Sequence, residues 1–330
     1  MRCIFCLQEQ ESSEEHVFPQ SIGGSLVTDR VCRVCNSFLG AAVDAPLCDH
    51  VFIVMRRWQL RLSGNSGLVP DALKRWFGDG KLVENPEQRI QMSADPITGA
   101  PILRTLYSAI EVPQPDGSLL KRIAIDAEGA RPKIKTIIQR ERKRAGHPPL
   151  TDEELNRAAD EILVNGPMTV ERPQVNVQIG IDLAAFKRGL FKIAYELAFI
   201  WLGESYLDDP VGSTLRDVIL GRIEAETAGL RGTIEFGSDI DPVLLWADDN
   251  DSHVAYSLTS GNSIAVVVKI FDIFSGVIVV SDRASDYAAG TFDPKAIRFL
   301  RIDPVIGTRR ESSLLDEIGR ITRHRMQQSQ

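Results

Sequence analysis

The chain has 330 residues, of which 43% are apolar and 25% charged, and its formal net charge is −7. That length holds two domains, or one large domain with an appended module, and the composition is that of a soluble globular protein. The acidic balance excludes a bulk polycation, so any nucleic-acid contact must come from local basic patches.

All five cysteines, Cys3, Cys6, Cys32, Cys35 and Cys48, lie at or before position 48. Met1 runs straight into a Cys-x-x-Cys pair with no signal peptide before it. Two such pairs confined to one end point to metal rather than disulfides, in a reducing compartment, and the expected location is the cytoplasm. Beyond residue 50, Arg89–Met92, Ile102–Val112 and Leu119–Ile125 are expected strands, the last two joined by the turn Pro113–Ser118. Pro132 opens a helix to about Ala145, and Thr151 with Glu154 forms a capping box for a second helix, to about Val164. Val175, Val177, Ile179 and Ile181 alternate as in a half-buried strand. Asp182 can cap a long helix through Leu202, with another expected from about Ser213 to Ala228. The apolar run Leu190–Leu202 is too short to span a bilayer and carries Lys192 and Glu196, so it reads as a buried core helix and no membrane partner is expected. His253–Thr259, Ile264–Phe271 and Gly276–Ser281 predict an antiparallel meander, and the tail from Ser312 a polar helix. The expected fold class is α+β, with a small N-terminal module at 1–50 and a larger mixed body at 51–330 that carries an antiparallel sheet and divides, if anywhere, near 150.

The informative text runs from Cys3 to Asn36: Cys-Ile-Phe-Cys, then His-Val-Phe-Pro-Gln-Ser-Ile-Gly-Gly, then Cys-Arg-Val-Cys-Asn. Four thiolates in two knuckles make a closed tetrahedral zinc site, which is structural because no position is left for water. So small a module has too little core to fold alone, so zinc must supply much of its stability. The two knuckles, drawn together, bring Asn36 toward Glu15-His16. A carboxylate and an amide oxygen suit Mg²⁺ or Mn²⁺. The adjacent imidazole points the other way from a strand and titrates near neutrality, so it can take a proton from water. Cys48 with His50 has metal-like spacing, but four better ligands exist and burial is the expected role.

This arrangement resembles the HNH endonucleases, a ββα-metal family, and in particular its zinc-containing members, in which an acid-His pair, a Pro and a Gly-Gly turn lie between two Cys-x-x-Cys pairs. The resemblance covers roughly residues 1–46. It implies His16 as general base, Glu15 and Asn36 as ligands of a catalytic Mg²⁺ or Mn²⁺, and Cys3, Cys6, Cys32 and Cys35 as ligands of a structural zinc. It further implies hydrolysis of phosphodiester bonds, with DNA as the expected partner, to leave a 3′-hydroxyl and a 5′-phosphate. The family's middle Asn, which braces the loop beside the His, is absent; Thr28 and Asp29 occupy its neighbourhood. Asp44 lies about two helical turns after Asn36, where it supports the metal site or pairs with an arginine.

The rival from another class is a non-catalytic zinc-ribbon nucleic-acid-binding protein; the knuckles alone favour it, and Glu15-His16 with Asn36 in register reverse the preference. Residues 1–50 hold three Lys/Arg against seven Asp/Glu, so a nuclease module here needs basic help from elsewhere. One source is the run Arg131–Arg144, where Arg131, Lys133, Lys135, Arg140, Arg142, Lys143 and Arg144 face the single acid Glu141. Arg56, Arg57 and Arg61 are the other. The body is left with positioning substrate, homodimerisation or regulation by an unidentified ligand, and by analogy alone such proteins act in restriction, mobile elements or anti-phage defence.

Overall fold

The chain after the first knuckle folds as two strands and a helix. β1 (Ser12–His16) pairs antiparallel with β2 (Val27–Cys32), and Cys32 then caps α1 (Arg33–Leu39), its sulfur accepting from the Cys35 N–H. Ser13 faces Val31 but Glu15 faces Thr28, so β2 carries an extra residue, a bulge that re-aims side chains beside it. A π-helical turn, Gly40–Asp44, leads into α2 (Ala45–Cys48), and α3 (Val51–Gln59) follows. These elements belong to a computed structural model that describes all residues except 65–66, 84–85, 87–88, 96–97, 107, 114, 118, 125–128, 165–173, 237–250, 288–296 and 329–330.

Residues 71–180 form one compact unit. It contains α4 (Ala72–Phe77), β3 (Gly80–Leu82), β4 (Arg89–Ala94), β5 (Pro101–Thr105), β6 (Ser108–Pro113), β7 (Leu119–Ala124), α5 (Ala130–Arg144), α6 (Asp152–Val164) and β8 (Val175–Asn176). The strands make an antiparallel sheet in the order β5-β4-β3-β8 and a separate β6-β7 hairpin. α5 and α6 pack through Ala130, Ile134 and Ala159, and the expected capping box forms, with Glu154 Oε2 accepting from the Thr151 N–H at 2.8 Å. The expected single strand Ile102–Val112 is two, since the Leu106 N–H returns to the Arg89 carbonyl at the end of β5. Position 107, turn positions 114 and 118, and Ile125 lie outside the described residues. The alternation Val175–Ile181 yields only the two paired residues of β8.

Residues 1–70 and 181–330 together form the other unit. Its second part comprises α7 (Leu183–Leu202), α8 (Pro210–Ile219), β9 (Gly232–Phe236), β10 (His253–Ser260), β11 (Ser263–Ile270), β12 (Phe274–Ser281), β13 (Arg298–Asp303), β14 (Thr308–Ser313) and α9 (Leu314–Gln328). The strands make a six-stranded antiparallel sheet in the order β14-β13-β10-β11-β12-β9, which contains the expected meander. Asp182 caps α7 as its position predicts, accepting from the Ala185 N–H at 3.0 Å. α8 is shorter than expected: Asp209 caps it ahead of Pro210, and the left-handed Gly221 stands just beyond its end.

The N-terminal module does not stand apart at residue 50. Phe5, Phe18, Leu39 and Leu47 share one buried cluster with Ile193, Tyr195 and Leu197 of α7 and with Val266 and Ile278 of the sheet. α7 is buried from Phe186 to Phe199 apart from residues 187 and 188, as befits a helix apolar nearly all round with neighbours on both sides. Among the described residues no single helix is long and apolar enough to cross a membrane. The fold is α+β: a zinc-type ββα module followed by a larger body of helices and antiparallel sheets.

Candidate nuclease centre

The two knuckles converge. The Sγ atoms of Cys3, Cys6, Cys32 and Cys35 all lie within 4.8 Å of one another, and those of Cys6 and Cys32 are 3.9 Å apart. A tetrahedral zinc with Zn–S near 2.3 Å requires sulfurs about 3.8 Å apart, so the donor set fits the ion in chemistry and in spacing. The Cys32 N–H points at the Cys3 sulfur and the Cys35 N–H at the Cys32 sulfur, contacts that stabilise thiolates. Burial and the neighbouring Cys3 push the Cys35 thiol upward. α7 props the site: Tyr195 donates to the Ile4 carbonyl inside the first knuckle at 2.6 Å. Arg30 of β2 lies over the Phe199 ring and pairs with Glu204. Cys48 is outside the cluster and fully enclosed, its thiol pushed up to about 12 by burial.

Glu15 and His16 take opposite sides of β1. His16 is half-buried, and burial, with Lys192 adding to it, lowers its pKa below the ordinary imidazole value against the pull of Glu14 and Asp44. That shift favours the uncharged imidazole, the form that can accept a proton. Glu15 turns inward and is 2% exposed. Its carboxylate contacts the ammonium of Lys192, which comes from α7. The same ammonium donates to the His16 carbonyl at 2.7 Å and to both oxygens of Asp44 at 3.1 Å, and lies 3.8 Å from Glu196. Burial works against the Lys192 charge, but Glu196, Asp44 and Glu15 outweigh it and keep the group protonated. Burial pushes Glu15, Asp44 and Glu196 upward, Glu196 well above the carboxylate range, while Lys192 pulls each back.

Asn36, in the first turn of α1, donates its amide to Ser13 Oγ at 2.9 Å and to the Glu14 carbonyl at 2.6 Å. It ties the helix to β1 directly before Glu15 and His16, and so supplies a brace to the strand. Thr28, near the place of the missing family Asn, spends its hydroxyl on the Arg30 N–H. The loop after His16 is held from the body. Gly23 has a φ of +85°, and a Cβ there would lie 2.3 Å from that of Pro304; a Cβ on Gly24 would lie 1.8 Å from the Phe18 carbonyl. The Gly-Gly pair thus serves a left-handed turn and a close backbone approach. His253 stacks on Phe18, accepts from the Phe271 N–H on Nδ1 and so donates through Nε2 to the Ile22 carbonyl at 2.8 Å.

Of the expected phosphate-binding residues, Arg56 and Arg57 do not offer a surface. Arg56 pairs with Asp251 at 3.3 Å and with Asp272, and Arg57 is 8% exposed and points at the Cys48 carbonyl. Arg140, Lys143 and Arg144 on α5 are exposed, whereas Arg142 is half-buried and donates to the Pro148 carbonyl at 3.0 Å. The residue missed in the sequence is Lys192. Its signal was present, a Lys and a Glu four apart in an otherwise apolar helix, but such a pair says nothing of the carboxylates brought to it by the fold.

Residues 3–52 match the HNH endonuclease family. No curated protein and no solved structure matches the chain. The family match and the four-cysteine cluster coincide, so the N-terminal segment carries an HNH endonuclease match over a donor set consistent with the zinc type.

Proposed function

We propose that the protein is a metal-dependent endonuclease that hydrolyses phosphodiester bonds in DNA, with His16 as general base. The reading is carried by one observation: a half-buried imidazole on β1, the strand that Asn36 ties to α1, within a segment that matches the family and holds the four clustered cysteines. In that arrangement His16 takes a proton from the attacking water, while the cysteine centre fixes β2 and α1 around the strand that carries it. A Mg²⁺ or Mn²⁺ held by Glu15 and Asn36 would polarise the phosphate and steady the leaving oxygen. α5 offers a basic surface for the polymer through Arg140, Lys143 and Arg144.

The rival reading, a zinc-ribbon protein that binds nucleic acid without cutting, is favoured by the burial of Glu15 against Lys192. Plasmid incubated with the purified protein and Mg²⁺ or Mn²⁺, with and without EDTA, separates the two. Metal-dependent nicking or linearisation supports the nuclease; binding without cleavage in either metal supports the ribbon. A panel of duplex, branched and single-stranded DNA and RNA then identifies the substrate.

A further inference from the structure

We propose that Lys192 is the resident countercation of the carboxylates at this site and competes with the catalytic divalent ion for Glu15. The ion's role in cleavage rests on the nuclease reading; the competition does not. The Lys192 ammonium donates to the His16 carbonyl and to Asp44 and is ion-paired with Glu15. Its side chain is fully buried, as is that of Glu196. A divalent ion ligated by Glu15 sits about 2.0–2.1 Å from a carboxylate oxygen, the oxygen the ammonium already contacts. Two cations on one carboxylate in a poorly solvated interior repel strongly, so one must leave.

Glu196 shows where the ammonium goes. Both of its carboxylate oxygens are buried and have no hydrogen-bond partner, an arrangement that requires an explanation in a folded protein. It lies one turn along α7 from Lys192, 3.8 Å from Nζ. A rotation of the flexible lysine stem carries the ammonium from Glu15 and Asp44 onto Glu196 and frees Glu15 for the incoming ion. Lys192 is thus a determinant of metal affinity contributed by the body, 148 residues beyond Asp44.

The test is Mn²⁺ binding to the zinc-loaded full chain, followed by electron paramagnetic resonance of free Mn²⁺ in the absence of nucleic acid. Lys192→Met removes the competitor and should tighten Mn²⁺ binding by about tenfold or more, with a melting temperature that is lowered in zinc-loaded protein without Mn²⁺ and restored by Mn²⁺. Glu196→Gln removes the alternative seat while keeping the volume, and should weaken Mn²⁺ binding. Mn²⁺ binding by either variant that equals the wild type overturns the proposal. So does a zinc-loaded Lys192→Met protein that fails to fold with Mn²⁺ as without it, because the divalent ion would then be unable to replace the ammonium. Wild-type protein that binds Mn²⁺ with these two shifts but cuts nothing would defeat the nuclease reading and leave this one standing. Protein that cuts, with unshifted variants, would do the reverse.

Discussion

The two units use charge in opposite ways. In the unit formed by 1–70 and 181–330, many cations are turned inward or engaged. Lys192 and Arg216 are buried among carboxylates and backbone carbonyls, Arg57 is enclosed, and Arg56 is paired twice. In the unit formed by 71–180, α5 sends Arg140, Lys143 and Arg144 outward. Charge in the first organises a site; on α5 of the second it is exposed, with Arg144 and Arg140 sharing Glu141. Neutralising the buried cations of the first unit should therefore damage folding or chemistry, whereas neutralising the exposed cations of α5 should leave the fold intact.

The sharpest division is expected from zinc. Structural zinc in small modules is worth about 10–16 kcal/mol of folding free energy. One zinc per chain is expected by elemental analysis, and Cys32→Ser should abolish it. Because the knuckles share a core with α7 and the sheet, that variant should lose the calorimetric transition of the whole first unit while the 71–180 transition survives. Replacing Cys48, which lies outside the cluster, should leave zinc content unchanged. If both transitions disappear together, the division between units fails.

A smaller effect follows from His253, whose folded pKa is lowered to about 4 by burial from an ordinary 6.5. The unfolded chain binds the proton first, so the contribution is complete above pH 6.5 and is lost as pH falls toward 4. The loss is about 3 kcal/mol over that window. His253→Gln should start less stable, for want of its bonds to Ile22 and Phe271, but melt with a flatter pH profile. An equal slope in variant and wild type would remove His253 from this role.

The smallest effect concerns α5. Neutralising Arg140, Arg142, Lys143 and Arg144 together should weaken DNA binding alike on every sequence and flatten its salt dependence. Each lost phosphate contact removes roughly 0.9 from the log–log slope on duplex DNA. Arg142, half-buried against Pro148, should contribute least. Cleavage at saturating DNA should survive. An unchanged slope from titrations at two salt concentrations would make α5 a solvated helix and end the contrast between units.

The legible parts of this molecule are those whose cause is local. Cys3, Cys6, Cys32 and Cys35 announce their cluster because knuckle spacing fixes ligand geometry, and Asp182 and Thr151 announce helix starts because a cap reaches only three residues. The position of His16 on a strand facing away from Glu15 follows from alternation. What Glu15 meets is not legible, since its partner comes from α7 and only packing of the shared core brings Lys192 to it. Asp44 was readable as half of an ion pair, but its partner is a lysine far along the chain. Arg56 and Arg57 read as a surface pair because a helix sequence does not tell which face a neighbouring sheet will cover. The cover of residues 1–50 is hidden for the same reason: the module's apolar residues find it in segments far beyond them.

The central claim is that this chain cuts DNA through His16, and one comparison tests it most directly. Wild-type protein and His16→Ala, matched in zinc content and in melting temperature, are incubated with supercoiled plasmid in Mn²⁺ and the first-order rates are measured. Removing a general base costs about 10²–10⁴-fold, so the variant should bind the plasmid as before and cut it slower by that factor. Cleavage by His16→Ala at the wild-type rate would contradict the account.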